Sequence, residues 1–336
     1  MTRRALVADG LGSLAIEDRP PLEPQPDEVV VRPAWCGVCG TDLELLRGQV
    51  DAGFVRYPLT LGHEWSGVVE AVGARVTGIA PGMRVVAEGI IPCGHCPSCR
   101  AGATNVCETY DEIGFTREGG AGDQVAVPAR VVHRLEDEVP LLDAALVEPA
   151  AVVMTGLEKV RPQAGMRVLI VGDGTIALLA AQLVRLSSPS EILVAGRRPE
   201  QESLARTLGA TGFTTGDPGG GFDLAIEAAG VPEAAITAIG ALRRGGAALL
   251  LGLPPAGSTL VLPADKLVND DLSLIASFGY TSAAWARVVS LLNASRFRPG
   301  ALVTHTFALE DFERAFAELA EPTGARGKVM LELTGG

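Results

Sequence analysis

The sequence lacks an excess of positive charge, a membrane-length apolar run and any repeated or low-complexity segment. Its 28 lysines and arginines are outnumbered by 40 aspartates and glutamates, which gives a net charge of −12. A protein that binds a phosphate backbone needs a basic surface, so nucleic acid is not the expected partner. No apolar run approaches the roughly 20 residues that span a bilayer, and no apolar stretch of a signal peptide follows the opening MTRR. We therefore expect a cytoplasmic protein that binds neither nucleic acid nor membrane.

The order of strand and helix patterns divides the 336 residues in two. The first half contains short β-type runs such as VVVRPA and SGVVEAVG, punctuated by Gly and Pro. From about residue 150, apolar strand patterns alternate with helical ones, beginning with RVLIVG (167–172) and TIALLAAQLVRL (175–186). This alternation predicts a parallel sheet with helices on both faces, and it fades near residue 280. We predict an α/β domain over 150–280, inserted into a β-rich domain made of 1–149 and 281–336.

A glycine turn lies between the predicted first strand and first helix of the α/β domain. It reads Gly172-Asp173-Gly174-Thr175-Ile176-Ala177 and fits G-x-G-x-x-A. Gly172 permits the tight turn, and Gly174 lets the backbone approach a pyrophosphate at the positive end of the helix. An ordinary glycine turn is the alternative, but the position within a βαβ unit favours dinucleotide binding.

The end of the second predicted strand indicates which dinucleotide is bound. An NAD enzyme carries Asp or Glu there for the ribose hydroxyls, whereas this chain has Gly196-Arg197-Arg198. The two guanidinium groups are suited to grip a 2′-phosphate, although a solvated basic turn is the alternative. The sequence therefore favours NADP over NAD.

Four cysteines form the strongest metal signal. Cys93, Cys96, Cys99 and Cys107 follow the spacing Cys-x2-Cys-x2-Cys-x7-Cys. Four thiolates from one loop enclose a tetrahedral zinc with no open position, so this loop, 93–107, is predicted to hold a structural zinc. His95 lies inside the loop but is surplus to the four sulfurs, and the acidic charge argues against a nucleic-acid zinc ribbon.

A second, catalytic metal would need other donors. The candidates are Cys36 or Cys39, the pair His63-Glu64, and Glu148. A cysteine, a histidine and a carboxylate leave room for water or substrate on a zinc ion. Taken singly, each has an ordinary structural interpretation, from a buried polar residue to an acid in the first turn of a helix.

Together these stretches resemble the zinc-dependent medium-chain dehydrogenases, the superfamily of alcohol and polyol dehydrogenases. The matching stretches are CGTDLELLRG, GHEWSG, the four-cysteine loop, VEPAAV and GDGTIA, in the family's order along essentially the whole chain. The resemblance implies a GroES-like catalytic domain with an inserted doubly wound Rossmann domain and the substrate in the cleft between. It also implies a homodimer or homotetramer, paired through the edges of the Rossmann sheets, for which 247–262 is the candidate run.

The resemblance also implies two zinc ions per chain and assigns donors to the catalytic one. These are Cys39 and His63, with Glu148 as the third donor directly or through water. Glu64 is either an exchangeable donor or a residue that contacts the donors. A Glu at the third position resembles the sorbitol and polyol branch.

The choice of Cys39 over Cys36 agrees with strand geometry. Side chains two residues apart face the same way in an extended segment, so Thr41 lies on the side of Cys39. The residue two positions from Cys36 is Val38, which cannot accept a proton. We expect Cys36 to be a small buried apolar side chain; a Cys36–Cys39 redox pair is the alternative.

The implied reaction is reversible oxidation of a secondary alcohol to a ketone, with Thr41 accepting the hydroxyl proton. Many relatives carry His three residues later, where this chain has Glu44. A carboxylate there can relay the proton. The alternative is a capping box, because Thr41-Asp42-Leu43-Glu44 fits S/T-x-x-E before a helix.

Further cofactor contacts rest on the resemblance alone. Val152 and the loops after the later Rossmann strands are expected near the cofactor, and Lys328 is expected to reach a cofactor phosphate. The loop residues are Ala228, Ala229, Gly230, Gly252, Leu253, Ser277 and Phe278.

The substrate is expected to be a small hydroxylated molecule. GHEWSG, EIGFTREGGAGDQVAVPA and VEPAAVVMTGLEKV resemble dehydrogenases of aminocyclitols such as 2-deoxy-scyllo-inosamine, and also sugar, polyol and threonine dehydrogenases. Glu44, Glu64 and Glu118 would make an acidic cleft if they face it. Other classes stay open: a simple secondary-alcohol dehydrogenase, a zinc-free enone or quinone reductase, or an NADP-binding sensor.

Overall fold

The computed structural model describes residues 2–333, and the chain divides into two compact units. The first unit contains residues 2–148, Trp285–Thr323 and 328–333. The second contains Pro149–Ala284 and takes in Gly324–Gly327 from near the end of the chain, which the boundaries expected from the sequence do not include.

The first unit is built mainly from β-strands. Its strands are β1 (Arg3–Ala8), β2 (Leu14–Arg19), β3 (Glu28–Val38), β4 (Leu59–Thr60), β5 (Trp65–Val72), β6 (Arg84–Ala87), β7 (Ile90–Ile91), β8 (Asp111–Glu112), β9 (Val125–Pro128), β10 (Val132–Arg134), β17 (Val303–Ala308) and β18 (Lys328–Glu332). Its helices are α1 (Gly40–Leu46), α2 (Pro97–Arg100), α3 (Leu141–Ala144) and α10 (Phe312–Ala320). The helices α4 (Val147–Val160) and α9 (Ser282–Asn293) each contribute residues to both units.

The long strand β3 lies at the centre of the first unit. It pairs antiparallel with β5, β9 and β18 in a sheet of order β10-β6-β5-β3-β18-β17. Most of its eleven residues, EVVVRPAWCGV, are buried, since the strand is covered on both faces. Its apolar side chains belong to a core cluster with Leu61, Trp65 and Ile113. The strand therefore fixes the position of the cysteine that follows it, Cys39.

The second unit is a parallel α/β sheet. Its elements are β11 (Arg167–Val171), α5 (Thr175–Arg185), β12 (Glu191–Ala195), α6 (Glu202–Thr207), β13 (Gly212–Thr214), β14 (Phe222–Glu227), α7 (Pro232–Gly240), β15 (Leu242–Leu250), α8 (Ala264–Asn269) and β16 (Ser273–Ala276). All neighbours in the order β13-β12-β11-β14-β15-β16 are parallel. This is the doubly wound order of a Rossmann fold, which confirms the fold class expected from the sequence.

The apolar run 247–262 is not the sheet edge that the sequence suggested. Residues 247–250 end β15, which has β14 on one side and β16 on the other. The chain then leaves the sheet at a stretch containing Pro254 and Pro255, because proline has no N–H for the ladder. Within the described residues, the edge strand on this side is β16.

Among the helices of residues 2–333, we find none with the length and apolar character that crossing a bilayer requires.

Candidate active site and cofactor site

Three of the four predicted donors of the catalytic metal meet in the first unit. Cys39 lies between the end of β3 and the start of α1, and His63 and Glu64 directly precede β5. Their ligand atoms all lie within 4.8 Å of one another. His63 and Glu64 are buried and Cys39 is half-buried. One thiol, one imidazole and one carboxylate at this spacing form a donor set that fits zinc.

Glu148, the fourth predicted donor, is not a member of that cluster in the described part of the chain. It lies in the first turn of α4 and is half-buried. Burial raises the pKa of its carboxyl to about 8, against the lowering effect of His63. Glu148 therefore lies close enough to His63 for the two groups to interact electrostatically without Glu148 joining the donor set, which suits the water-mediated alternative.

Lys328 does not reach toward a cofactor phosphate, and that expectation is wrong. Its Nζ lies 2.6 Å from Oε1 and 2.5 Å from Oε2 of Glu64, and both side chains are at most 3% exposed. Burial alone would lower the pKa of the ammonium, but Glu64 and Cys39 raise it. Gly37 makes room for the pair, because a Cβ there would come within 2.2 Å of Glu64. Glu64 is thus paired with a buried cation while it also belongs to the donor cluster.

Asp42 is a functional residue that the sequence reasoning missed. Its Oδ2 accepts the Cys39 N–H at 2.8 Å, and its Oδ1 lies 3.5 Å from Nδ1 of His63. A carboxylate behind a metal-binding histidine fixes which ring nitrogen faces the metal. The signal was present, since Asp42 follows the CGT stretch, but spacing did not indicate its partner.

The alternative interpretation of Thr41 and Glu44 as a capping box is wrong. The residue that precedes the first turn of α1 is Cys39, and the reciprocal acceptor is Asp42. Glu44 lies one turn further on and is exposed. Helix α1 starts two residues earlier than a Thr41 cap requires, so the capping explanation of Glu44 no longer applies.

The surroundings of His63 favour both a proton and a metal. Burial lowers the pKa of the imidazole, but Asp42 and Cys39 raise it by more, and the net direction is upward. A metal at this cluster therefore displaces a proton from His63, so loading with metal depends on pH.

The two cysteines of the CGVC stretch have different surroundings. Cys36 is 1% exposed within β3, and burial raises the pKa of its thiol. This confirms the expectation of a small buried side chain. The Sγ of Cys39, by contrast, lies 3.8 Å from the hydroxyl oxygen of Thr41. Thr41 is therefore next to the donor cluster, as a proton acceptor must be.

The four-cysteine loop is shaped for a closed zinc site. The Sγ atoms of Cys93 and Cys99 are 3.9 Å apart and those of Cys96 and Cys107 4.0 Å, with all four within 4.8 Å. Zinc–sulfur bonds of about 2.3 Å in a tetrahedron place sulfurs about 3.8 Å apart. Backbone N–H groups of His95 and Cys96 lower the pKa of the Cys93 thiol to about 6. The imidazole of His95 is exposed and bonds to a backbone carbonyl of the loop.

A turn at Glu112–Arg117 packs against His63 and was also missed. The ring centroids of Phe115 and His63 are 5.3 Å apart, and a Cβ on Gly114 would lie 3.1 Å from the backbone nitrogen of His63. Glu112 begins this turn, half-buried, and its carboxylate has no hydrogen bond within the described residues. Burial raises the pKa of Glu112 to about 7, while His63 acts to lower it. An acid without a partner thus lies near the donor cluster.

The acidic cleft expected from Glu44, Glu64 and Glu118 does not form as such. Glu118 pairs with Arg3 and Arg19 at 2.5 and 2.6 Å, and Glu64 pairs with Lys328. These two carboxylates are neutralised by their partners. Glu112 is the acid that the structure offers in their place.

The glycine turn of the second unit has the geometry of a nucleotide site. Gly172 has φ of 129°, and a Cβ there would lie 3.0 Å from the Ala228 backbone. Gly174 precedes the first turn of α5, whose Thr175 hydroxyl donates to the Gly327 carbonyl at 3.1 Å. The free N–H groups at the start of this eleven-residue helix suit a pyrophosphate.

The other predicted cofactor loops follow the carboxyl ends of β14, β15 and β16. Ala229 and Gly230 donate their N–H groups to Oε1 of the buried Glu227 at 2.6 and 2.7 Å. Gly252 packs so closely on this loop that a Cβ would lie 2.2 Å from the Gly230 nitrogen. Leu253 is 79% exposed, and Ser277 and Phe278 follow β16. Nucleotides bind at this edge of a doubly wound sheet.

The two arginines after β12 differ in their contacts. Arg198 forms an ion pair with Asp173 of the glycine turn, at 2.8 Å. Arg197 is exposed, and within residues 2–333 its guanidinium has no hydrogen bond or ion pair. Arg198 is thus already engaged by a carboxylate and Arg197 is not, and the prediction that both guanidinium groups grip a 2′-phosphate stays a prediction.

Comparisons with protein families agree with this geometry. Residues 25–137 match the alcohol dehydrogenase GroES-like domain, and residues 143–325 match the glucose dehydrogenase C-terminus. The chain belongs to the zinc-type medium-chain alcohol and polyol dehydrogenases, enzymes that oxidise secondary alcohols. The family and the enzyme class expected from the sequence are confirmed.

Individual relatives extend along nearly the whole chain. It is 30% identical to D-arabinitol dehydrogenase 1 of Uromyces fabae, over 88% of this chain and 87% of that one. It is 31% identical to L-threonine 3-dehydrogenase of Aeromonas hydrophila, over 94% of each. A structure described as a zinc-binding dehydrogenase from Sinorhizobium meliloti bound to NADP superposes with a TM-score of 0.92, at 29% identity and 99% of both chains.

Proposed function

We propose that the protein is a zinc-dependent, NADP(H)-linked dehydrogenase that reversibly oxidises a secondary alcohol of polyol, sugar or aminocyclitol type to a ketone. The observation that carries the proposal is the cluster of Cys39, His63 and Glu64 within 4.8 Å, with Asp42 behind the imidazole. A reductase that works without zinc would not require this set of metal donors.

Two zinc sites follow from the donor sets. Cys39 and His63 would hold the catalytic ion, with Glu148 or Glu64 as the exchangeable donor, and the four cysteines of 93–107 would hold the structural one. Zinc supplies Lewis acidity toward the substrate oxygen. Because Oδ1 of Asp42 lies 3.5 Å from Nδ1 of His63, a proton on Nδ1 would face that carboxylate, which would leave Nε2 for the metal.

The protein's own share of the chemistry is proton transfer and positioning. Thr41, next to Cys39, accepts the proton of the substrate hydroxyl. Glu44 is exposed on the same helix and is proposed to pass that proton to solvent. The glycine turn at 172–177 and the turn after β12 would hold NADP, which would supply the acceptor for the hydride of the carbinol carbon. The balance is one alcohol and NADP⁺ consumed for one ketone, NADPH and a proton.

The relay role of Glu44 has a simple test. Glu44→Gln keeps the size of the side chain but cannot ionise, so we expect the pH–rate profile of alcohol oxidation to lose its acidic limb or shift it. A profile that is unchanged within error means that the proton leaves by another route.

NADP preference is supported by the turn after β12. Position 196 carries no carboxylate to repel a 2′-phosphate, and Arg197 offers a free guanidinium. The NADP bound to the Sinorhizobium relative supports the same preference.

The substrate class is supported by Glu112 and by the relatives. The arabinitol dehydrogenase supports a polyol, and an acid without a partner near the donor cluster suits hydroxyl groups or an ammonium. The same acid and the threonine dehydrogenase support a second candidate, an amino alcohol of threonine type.

The test is initial rates of zinc-loaded enzyme with NADP on a panel of polyols, cyclitols, aminocyclitols, amino alcohols and simple secondary alcohols. We expect turnover of a polyol or aminocyclitol, and none after chelation until zinc is restored. The proposal would be contradicted if turnover continued after complete removal of metal, or if no alcohol of the panel reacted. Glu112→Gln serves as the specificity control, since it should penalise amine-bearing substrates more than neutral ones.

A further inference from the structure

One carboxylate fixes the turn that follows β12. Asp173 Oδ2 accepts the backbone N–H groups of Arg197 at 2.9 Å and Arg198 at 3.0 Å. Its Oδ1 accepts Nη2 of Arg198 at 2.8 Å and Nε at 3.3 Å. The fully buried Gln201 donates its amide to the Asp173 carbonyl at 2.6 Å. The glycine turn and the arginine turn are therefore one hydrogen-bonded unit.

The charge of Asp173 is balanced within that unit. Burial alone would raise the pKa of its carboxyl, but Arg198 and the two N–H groups hold it below 3.8, so the group is ionised at neutral pH. An unpaired carboxylate in the glycine turn would repel any phosphate at the start of α5. Arg198 cancels this charge, and Arg197 is left as the net positive charge of the turn.

Asp173 also occupies the space that an NAD-type acid would need. A Cβ at Gly196 would lie 2.7 Å from Cβ of Asp173, 2.8 Å from its Oδ2 and 2.8 Å from the ring of Phe213. No side chain fits at position 196 while Asp173 holds this place. The same carboxylate that orders the turn therefore excludes a ribose-binding acid at this position.

Building on the NADP preference proposed above, we propose that Asp173 is a positioning residue for cofactor selection. It holds the turn so that Arg197 binds the 2′-phosphate, and Arg198 neutralises Asp173 instead of gripping the phosphate. The two neighbouring arginines thus have unequal roles.

The test compares two nucleotide fragments that differ by one group. Dissociation constants of 2′,5′-ADP and 5′-AMP are measured by calorimetry on the full, zinc-loaded chain, for wild type and variants. The ratio of the two constants reports the 2′-phosphate contact alone. Because both fragments bind the same folded fraction, partial unfolding of a variant cancels from the ratio.

The proposal predicts a different pattern for each arginine. Arg197→Ala should lower the preference for 2′,5′-ADP by roughly 10-fold or more, with 5′-AMP within about twofold of wild type. Arg198→Ala should weaken both fragments and keep their ratio within about threefold. Asp173→Asn combined with Arg198→Ala should restore both toward wild type, because the unpaired charge is gone while the Asn side-chain oxygen still accepts the N–H groups of the turn. Asp173→Ala combined with Arg198→Ala removes that acceptor as well, so it should lower the preference for 2′,5′-ADP as Arg197→Ala does. Arg198→Lys, which keeps the neutralising charge, should retain the wild-type ratio.

Two results would overturn the proposal while NADP preference stands. They are a selective loss of 2′,5′-ADP in Arg198→Ala as large as in Arg197→Ala, and no recovery in the double variant that carries Asp173→Asn. A wild-type protein that binds both fragments equally would instead refute the NADP preference, and the assignment of Arg197 with it.

Discussion

At the scale of single residues, Cys36 and Cys39 lie three positions apart in sequence but differ in role: Cys36 packs in the core, and Cys39 belongs to the candidate metal site. Cys36 is enclosed in the core of the first unit, while Cys39 stands at the end of β3 among polar donors. The alternation of side chains along β3 and the turn into α1 account for the difference. Spacing alone would have allowed either cysteine to bind metal.

The first prediction compares these two thiols. Cys39→Ser should reduce the zinc content by one ion per chain and lower kcat by several orders of magnitude, because a serine hydroxyl is a poor zinc ligand. Cys36→Ser is the matched control and should keep both ions while losing about 1 kcal/mol of stability. Zinc is counted by mass spectrometry; equal metal loss in the two variants would contradict the assignment.

A second prediction concerns Asp42. Asp42→Asn removes the charge behind His63, so zinc affinity or kcat should fall by roughly 10- to 100-fold. Competition with a chelator measures the affinity. Asp137→Asn, an exposed change in the same unit, should have no effect. Unaltered zinc affinity and kcat in Asp42→Asn would mean that its role is confined to capping α1.

The sequence motifs identified candidate site residues, but they did not identify the side chains that interact with them. The stretches around Cys39 and His63 could be predicted to contain metal donors because their residue types and order are unusual. Asp42 and Glu112 were missed because their roles depend on lying near His63, which is 21 and 49 residues away in sequence. The ion-pair partners of Lys328 and Arg198 were not predicted for the same reason, since a free cation and a paired one look alike in a sequence.

At the scale of elements, the loop 93–107 and the turn after β12 are small units that are ordered by polar contacts. The loop has few residues that are fully buried, and α2 within it is only four residues long. We therefore expect metal coordination to provide the folding free energy that the few buried residues of this loop do not provide.

The third prediction tests that dependence. Cys99→Ser should remove one zinc ion and lower Tm by several degrees, because the loop loses a ligand that folding relies on. His95→Ala is the matched control within the loop, and it should leave both metal content and Tm unchanged. If Cys99→Ser retains its zinc and its Tm, the four-sulfur site is not formed in solution.

The fourth prediction concerns the pH dependence of the Asp173 unit. The folded pKa of Asp173 lies below 3.8, so its stabilisation is complete above the unfolded value and is lost only as pH falls through the folded one. The difference in Tm between wild type and Asp173→Asn should therefore be constant from pH 8 to about pH 5. A difference that already shrinks near pH 6 would mean that burial, not Arg198, sets this pKa.

At the scale of the whole molecule, the order of elements was readable from the sequence and the contacts between distant segments were not. RVLIVG and TIALLAAQLVRL became β11 and α5 within a residue of the expected ends, because buried strands and amphipathic helices have distinct periods. The return of Gly324–Gly327 to the second unit depends on bonds to Thr175 and Gln201. No local sequence pattern predicts hydrogen bonds between segments this far apart in the chain.

The fifth prediction concerns assembly. We expect a homodimer or homotetramer that uses the edge strand β16 of the described residues, and the same unit exposes the apolar side chains of Val261 and Val268, each 80% exposed. Val268→Asp should lower the mass measured by light scattering, down to 34.8 kDa if the assembly is a dimer. Leu11→Asp, at an apolar residue that is 90% exposed in the first unit, is the control. A wild type that is already monomeric would contradict the expectation.

The most direct test of the central claim follows the hydride itself. A reactive secondary alcohol of the panel, deuterated at its carbinol carbon, is incubated with the zinc-loaded enzyme and NADP, and the product cofactor is examined by NMR. The account predicts deuterium at C4 of NADPH, formed faster than the corresponding NADH. Reduced cofactor without deuterium, or a faster reaction with NAD, would contradict it.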